Sequence, residues 1–145
     1  MAAGFTTVRD LMSHGCGYAD VDIKRIINRG SFPGPRMQVS TMGLVATGEG
    51  ILGSSEVNLP RNYQTVDGPW AARQAVREQI HYGADWIKFH STAGYEIEPD
   101  GKLVSDHTFT QEKVQPIVDE AHRPHNTAAW HRLSVGSPST RISGR

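Results

Sequence analysis

The stretch Tyr82-Gly83-Ala84-Asp85-Trp86-Ile87-Lys88-Phe89-His90 (YGADWIKFH) joins the end of a helix to the start of a strand. Upstream of it, Ala72, Val76 and Ile80 recur on one helical face. Asp67 starts that helix with Pro69 just inside, and Gly83 closes it. Trp86 to His90 (WIKFH) then reads as a short strand. Its alternation sends Trp86, Lys88 and His90 to one side and Ile87 and Phe89 to the other.

The same helix and strand rhythm extends in both directions. Phe5 to Leu11 (FTTVRDL) is rich in β-formers and leads through Gly15 and Gly17 to Asp20, a good helix N-cap. The helix expected over Val21 to Arg29 carries Ile23, Ile26 and Ile27 on one face and ends at Gly30. After Pro33-Gly34-Pro35, Arg36 to Thr41 (RMQVST) suits a second strand, and a long Gly-rich loop is expected from about Gly43 to Val66. Beyond the central strand, Ser91 to Asp106 contains the turn signal Pro99-Asp100-Gly101 and is expected to fold as a small hairpin. Thr110 caps a helix through about His122, with Val114, Ile117, Val118 and Ala121 facing inward. Pro116 is expected to kink its start or delay it by a turn. Thr127 to His131 (TAAWH) gives a fourth strand, and Leu133 to Arg145 lacks periodicity.

Strands alternating with helices imply an α/β fold with a parallel sheet, right-handed crossovers and outer helices. Four such repeats make half of a (β/α)8 barrel, the TIM architecture, which when complete takes about 250 residues. The expected organisation is a partial barrel domain over residues 1–131, with about four parallel strands, and an unstructured tail over 132–145. A small open α/β sheet is the alternative architecture.

Composition excludes some functions. Fifteen basic side chains balance fifteen acidic ones, with no dense Lys or Arg run, so neither nucleic acid nor a membrane surface is an expected partner. No apolar stretch is long enough to span a bilayer and no secretory signal is evident, so the expected location is the cytoplasm. Cys16 is the single cysteine, which leaves neither an intrachain disulfide nor a thiolate zinc cluster.

In parallel α/β folds the loops leaving the C-terminal strand ends build the active site. That rule selects Arg9 and Asp10, Thr41, Lys88 and His90, and His131. Lys88 is the most unusual, because a lysine inside a barrel is desolvated and driven toward the neutral amine, which can become a carbamate. The structural alternative is a strand-end side chain that snorkels to water or pairs with Asp85. Asp10 has an alternative as an ion-pair partner of Arg9, and His131 as a hydrogen-bonded structural histidine. His14, His81, His107, His122 and His125 fall in loops or on helix surfaces. Generic motifs are missing: there is no His-Glu-x-x-His, no paired Cys and no P-loop.

Three stretches carry a resemblance. GFTTVRD (Gly4 to Asp10), VDGPWAARQAVREQIHYGADWIKF (Val66 to Phe89) and FTQEKVQPIVDEAHR (Phe109 to Arg123) resemble consecutive signature stretches of the amidohydrolase superfamily, in its imidazolonepropionase-like and Xaa-Pro dipeptidase-like branch. The resemblance runs from about Ala2 to Ala129. It implies a metal-dependent hydrolase that cleaves amide or cyclic amide C–N bonds in a small molecule or dipeptide. A divalent metal, expected to be zinc and binuclear in the complete family site, would activate a water. Lys88 matches the family lysine that, carboxylated, bridges two metals, and His131 is the second candidate metal ligand. His90 and Tyr95, with Tyr63, are candidates to line the substrate pocket.

The family's first-strand His-x-His pair would precede Gly4, and a further His and Asp would follow the present sequence. Where the family reads Ala-Ala-His, this chain has Ala128 and Ala129, then Trp130 and His131, one place out of phase. The tail from Trp130 thus reads as the product of a reading-frame change. The alternative function is a catalytically inactive barrel fragment that forms a homo-oligomer through exposed sheet edges. A small α/β binding domain using the 43–66 loop is a third reading.

Overall fold

A computed structural model of the chain describes residues 3–48, 63–92, 96–105 and 107–123, and the backbone of Arg132–Val135. The elements in order are β1 (Thr7–Arg9), α1 (Ala19–Asn28), β2 (Arg36–Gln38), β3 (Gly43–Val45), β4 (Tyr63–Thr65) and α2 (Pro69–Tyr82). They continue with β5 (Trp86–Phe89), β6 (Glu96–Ile97), β7 (Leu103–Val104), α3 (Gln111–Ala121) and β8 (Arg132–Val135). The fold is α/β with short parallel sheets.

β1 pairs with β2, and a four-stranded sheet runs in the order β4-β3-β5-β8, every pair parallel. Backbone bonds tie the two sheets together. The Val39 carbonyl, just past β2, accepts the Asp85 amide at 2.8 Å and the Trp86 amide at 3.2 Å. β5 therefore starts beside the end of β2 and goes on to pair with β3 at Leu44 and Phe89. Among the described residues β4 and β8 are the outer strands of the larger sheet.

One face of that sheet carries the core. Leu44, Ile87 and Phe89 pack under Ala72, Ala75 and Val76 of α2 and Ile117 and Ala121 of α3. Phe109 closes edge-on against Phe89, with ring centroids 5.8 Å apart. This is the layering of a parallel sheet under crossover helices. A buried ionic link reinforces it, because Arg77 Nε of α2 donates at 2.7 Å to the fully buried Glu120 of α3.

Several expectations hold. Gly30 and Gly83 take positive φ where their helices end, and Pro99-Asp100-Gly101 turns the antiparallel β6–β7 hairpin. Ile87 and Phe89 share the helix-covered face as the alternation predicts.

Others are corrected. The residues 43–66 are not all loop: Gly43–Val45 and Tyr63–Thr65 form a parallel pair, β3 with β4. Residues 49–62 lie outside the described part. Asp20 is not the N-cap of α1. Tyr18 takes that position, and Asp20 sits in the first turn with its carboxylate buried. The apolar stripe of α1 does not face the core, since Ile23 and Ile26 are 51% and 46% exposed. The helix instead docks through Asp20, Val21 and Lys24, because polar bonds to the β2–β3 segment and to Asp85 fix its rotation. Pro116 lies inside α3 without delaying it, since the helix starts at Gln111 directly after Thr110. The strand expected over Thr127 to His131 lies outside the described residues. A strand does occur at Arg132–Val135, within the stretch expected to be unstructured, and pairs in register with the whole of β5.

Candidate active site

The sheet face opposite the helices displays the even residues of β5, and its polar groups rise from the N-terminal to the C-terminal strand ends. At the base, Trp86 Nε1 donates to Gln38 Oε1 at 3.1 Å, and the Arg9 guanidinium lies 4.0 Å over the Trp86 ring. A cation on an indole face is held by the ring quadrupole. Arg9 is therefore engaged with Trp86 rather than with Asp10, whose carboxylate accepts the Met12 amide at 3.2 Å as a strand-end cap.

Lys88 comes next. Burial holds its ammonium below the ordinary lysine range, because a half-desolvated charge loses part of its hydration. The acid that could have paired with it is committed elsewhere. Asp85 receives Lys24 Nζ at 2.6 Å on both oxygens and the Val39 amide at 2.9 Å on one of them. Among the described residues no carboxylate forms an ion pair with Lys88.

His90 lies at the C-terminal end of β5. Its backbone is fixed on both sides: the amide donates to the Leu44 carbonyl at 3.1 Å, and its carbonyl accepts Thr108 Oγ1 at 2.5 Å. Burial first, and the Lys88 charge second, push the imidazole toward its neutral form. The Tyr63 ring meets it edge-on, 5.3 Å between centroids. Nε2 is buried and has no hydrogen-bond partner among the described residues. It rests against Gly43, where a Cβ would come within 3.2 Å of Nε2 and 3.1 Å of Met12 Sδ. A side chain there would make Met12 or His90 give by a few tenths of an ångström, so glycine suits the close approach of backbone to ring.

Buried hydroxyls follow the strands at this end. Ser13 after β1, Ser40 and Thr41 after β2, and Ser91 after β5 all have side-chain oxygens without a partner among the described residues. The arrangement therefore offers a neutral imidazole, a lysine biased toward its amine and several hydroxyls at the C-terminal strand ends. It can position a polar substrate and hold or release a proton at Lys88 Nζ or His90 Nε2.

Sequence reasoning located Lys88 and His90 correctly on one face, since period-two alternation fixes it. It did not find Gly43, which the pairing of β3 with β5 brings against His90, nor Met12 and Ser91 beside them. A glycine directly before two apolar residues was the available signal. Tyr95 and His131 lie outside the described residues. Among the described residues no group of three or more His, Cys, Asp or Glu converges, so these side chains do not by themselves make a metal site.

A parallel sheet backed by helices, with its reactive side chains at the C-terminal strand ends, is the construction of a barrel-type α/β enzyme wall. No family model matches the chain. Its sequence is 32% identical to ochratoxinase of Aspergillus niger, over 88% of this chain and 29% of that protein. The crystal structure of that ochratoxinase superposes with a TM-score of 0.62 at 30% identity, covering 83% of this chain and 30% of the other. A Xaa-Pro dipeptidase with bound methionine in the active site matches with a TM-score of 0.63 at 29% identity, covering 82% and 30%. A prolidase complexed with N-methylphosphonate-L-proline matches at 0.64 and 27% identity, covering 91% and 32%. The chain belongs to the amidohydrolase superfamily, on the branch of Xaa-Pro dipeptidases and ochratoxinase. It spans about 30% of the length of those proteins and is related to hydrolase enzymes.

Proposed function

We propose that this chain forms one wall of a metal-dependent hydrolase that cleaves amide or cyclic amide C–N bonds in small molecules or dipeptides. The observation that carries the proposal is the state of Lys88, a half-buried amine on the reactive face whose ammonium is disfavoured and whose neighbouring acid is already paired to Lys24. Such an amine can add to CO2, losing one proton and gaining a carbamate, which turns a cationic side chain into an anionic oxygen donor.

In this reading Lys88 and His131 are metal donors, and His90 and Tyr95 contact substrate. Metals are typical of the superfamily. The described residues supply too few donors to hold one, so the remaining ligands come from outside the described residues, whether in this chain or in the rest of a complete barrel. The substrate class is supported by the relatives, one of which holds methionine.

The test replaces the aligned third of Aspergillus niger ochratoxinase with this chain. The folded chimera is expected to release product from an amide substrate of that enzyme, and Lys88→Ala is expected to abolish release. Undiminished hydrolysis by the Lys88→Ala chimera, or none by a folded parent chimera, would overturn the proposal.

A second reading is favoured by the small donor set and by β4 and β8 as outer strands, both among the described residues: a catalytically inactive barrel piece that pairs its edges in a homo-oligomer. Native mass spectrometry with metal analysis separates them, because this reading requires an oligomer that retains no zinc after supplementation.

A further inference from the structure

The segment that joins β2 to β3 carries one of the two non-glycine residues with positive φ among the described residues. Thr41 has φ of 59° and is fully buried. A β-branched residue in the left-handed region is a genuine outlier and persists only where its surroundings over-determine it.

The surroundings can be named. The Thr41 amide donates at 2.9 Å to Asp20 Oδ2, a carboxylate only 4% exposed on the first turn of α1. The Thr41 carbonyl accepts the Ser13 amide at 2.7 Å. One residue on, the Met42 carbonyl accepts Gln79 Nε2 of α2 at 3.0 Å. The residue after that is Gly43, whose backbone lies against the His90 ring. A continuous path thus runs from a helix carboxylate through a strained peptide to the seat of the buried imidazole.

We infer that Asp20 is a positioning residue: it holds Thr41 in its left-handed conformation and thereby sets where Gly43 supports His90. No cation pairs with Asp20 among the described residues, and its two oxygens are divided between the Val21 amide of its own helix at 2.9 Å and the distant Thr41 amide, so the long-range partner of this buried acceptor is Thr41. Asp20 does not touch the reactive face. Its effect passes through three backbone residues, of which Thr41 and Met42 are also held through their carbonyls by Ser13 and Gln79. The inference rests on the proposed reading of the His90 face as the substrate side, but its test needs no hydrolysis and can fail separately.

The test is a double-mutant cycle between Asp20→Ala and Thr41→Gly on the full chain, with the His90 ring followed by its 1H–13C cross-peak. Glycine adopts φ of 59° without strain. Asp20→Ala is expected to lower the urea midpoint strongly beside Thr41 and by roughly half as much or less beside Gly at that position. It is also expected to shift the His90 cross-peak, and Asp20→Asn, which keeps an acceptor, is expected to restore it. If Asp20→Ala alone does not fold, the double variant decides, and its recovery of folding supports the inference. Equal midpoint losses in both backgrounds, an unmoved His90 signal in a folded Asp20→Ala protein, or a double variant that also fails to fold would overturn it.

Discussion

Lys24 Nζ lies 2.6 Å from each carboxylate oxygen of Asp85, joining α1 to the start of β5 across 61 residues of sequence. The pair does two things at once. It fixes the rotation of α1, and it takes from Lys88 the acid three residues away. Asp85 also accepts the Val39 amide, so one carboxylate joins a helix and two strands. Asp85→Ala leaves an ammonium and an amide unmatched in a partly buried place and is expected to cost about 2 kcal/mol in urea denaturation. Asp85→Asn keeps an acceptor for Val39 and is expected to cost about half of that.

Glu120 is fully buried and receives Arg77 at 2.7 Å, Arg123 at 3.6 Å and Arg73 at 3.8 Å. The arginines reach water while the carboxylate does not, so the cost of deleting the acid falls at the low end for a buried pair. Glu120→Ala is expected to destabilise by about 2–3 kcal/mol, read from the urea midpoint. Glu120→Gln, which keeps the shape and one acceptor, is expected to lose clearly less.

Gly43→Ala tests the close approach beneath His90. A methyl at 3.1 Å from Met12 Sδ and 3.2 Å from His90 Nε2 forces one of them to move. The expected loss is about 1–2 kcal/mol, and the His90 ring resonances should shift with it. An unchanged ring environment would show that Met12 alone gives way.

Asp20 provides a pH signature. Burial raises its carboxyl above the ordinary range, with Asp10 adding to the effect and the amides of Thr41 and Val21 opposing it. A raised folded value means that the folded state binds the proton more tightly. The stabilisation from this group is then complete below its unfolded value of 3.8 and is lost as pH rises through the folded value. Relative to Asp20→Asn, the parent chain should lose stability over that acidic window and run parallel above it.

The sequence made some of this legible for local reasons. Gly30, Gly83 and the Pro99-Asp100-Gly101 turn announce themselves because left-handed and tight-turn geometry is set by the residue itself. The facing of Lys88 and His90 followed from strand alternation alone. β3 and β4 were hidden because strands of three residues carry almost no periodicity and exist through their pairing with each other and with β5. The rotation of α1 was misjudged because Ile23, Ile26 and Ile27 form a good apolar stripe, yet Asp20 and Lys24 make the long-range polar contacts that orient the helix. Of the four site residues expected from sequence, Lys88 and His90 share a face. Tyr95 and His131 fall outside the described residues.

Whether Lys88 is a desolvated amine on the proposed reactive face can be read from its own titration. When the Lys88 side chain is followed by NMR against pH in the folded chain, its midpoint is expected below the ordinary lysine value of 10.5. With the sign that follows, folding stability should rise as pH passes from that lowered midpoint toward 10.5, and Lys88→Met should be the more stable protein at neutral pH. A Lys88 that titrates at 10.5 or higher would mean that its ammonium is solvated or paired, and that it is no desolvated amine.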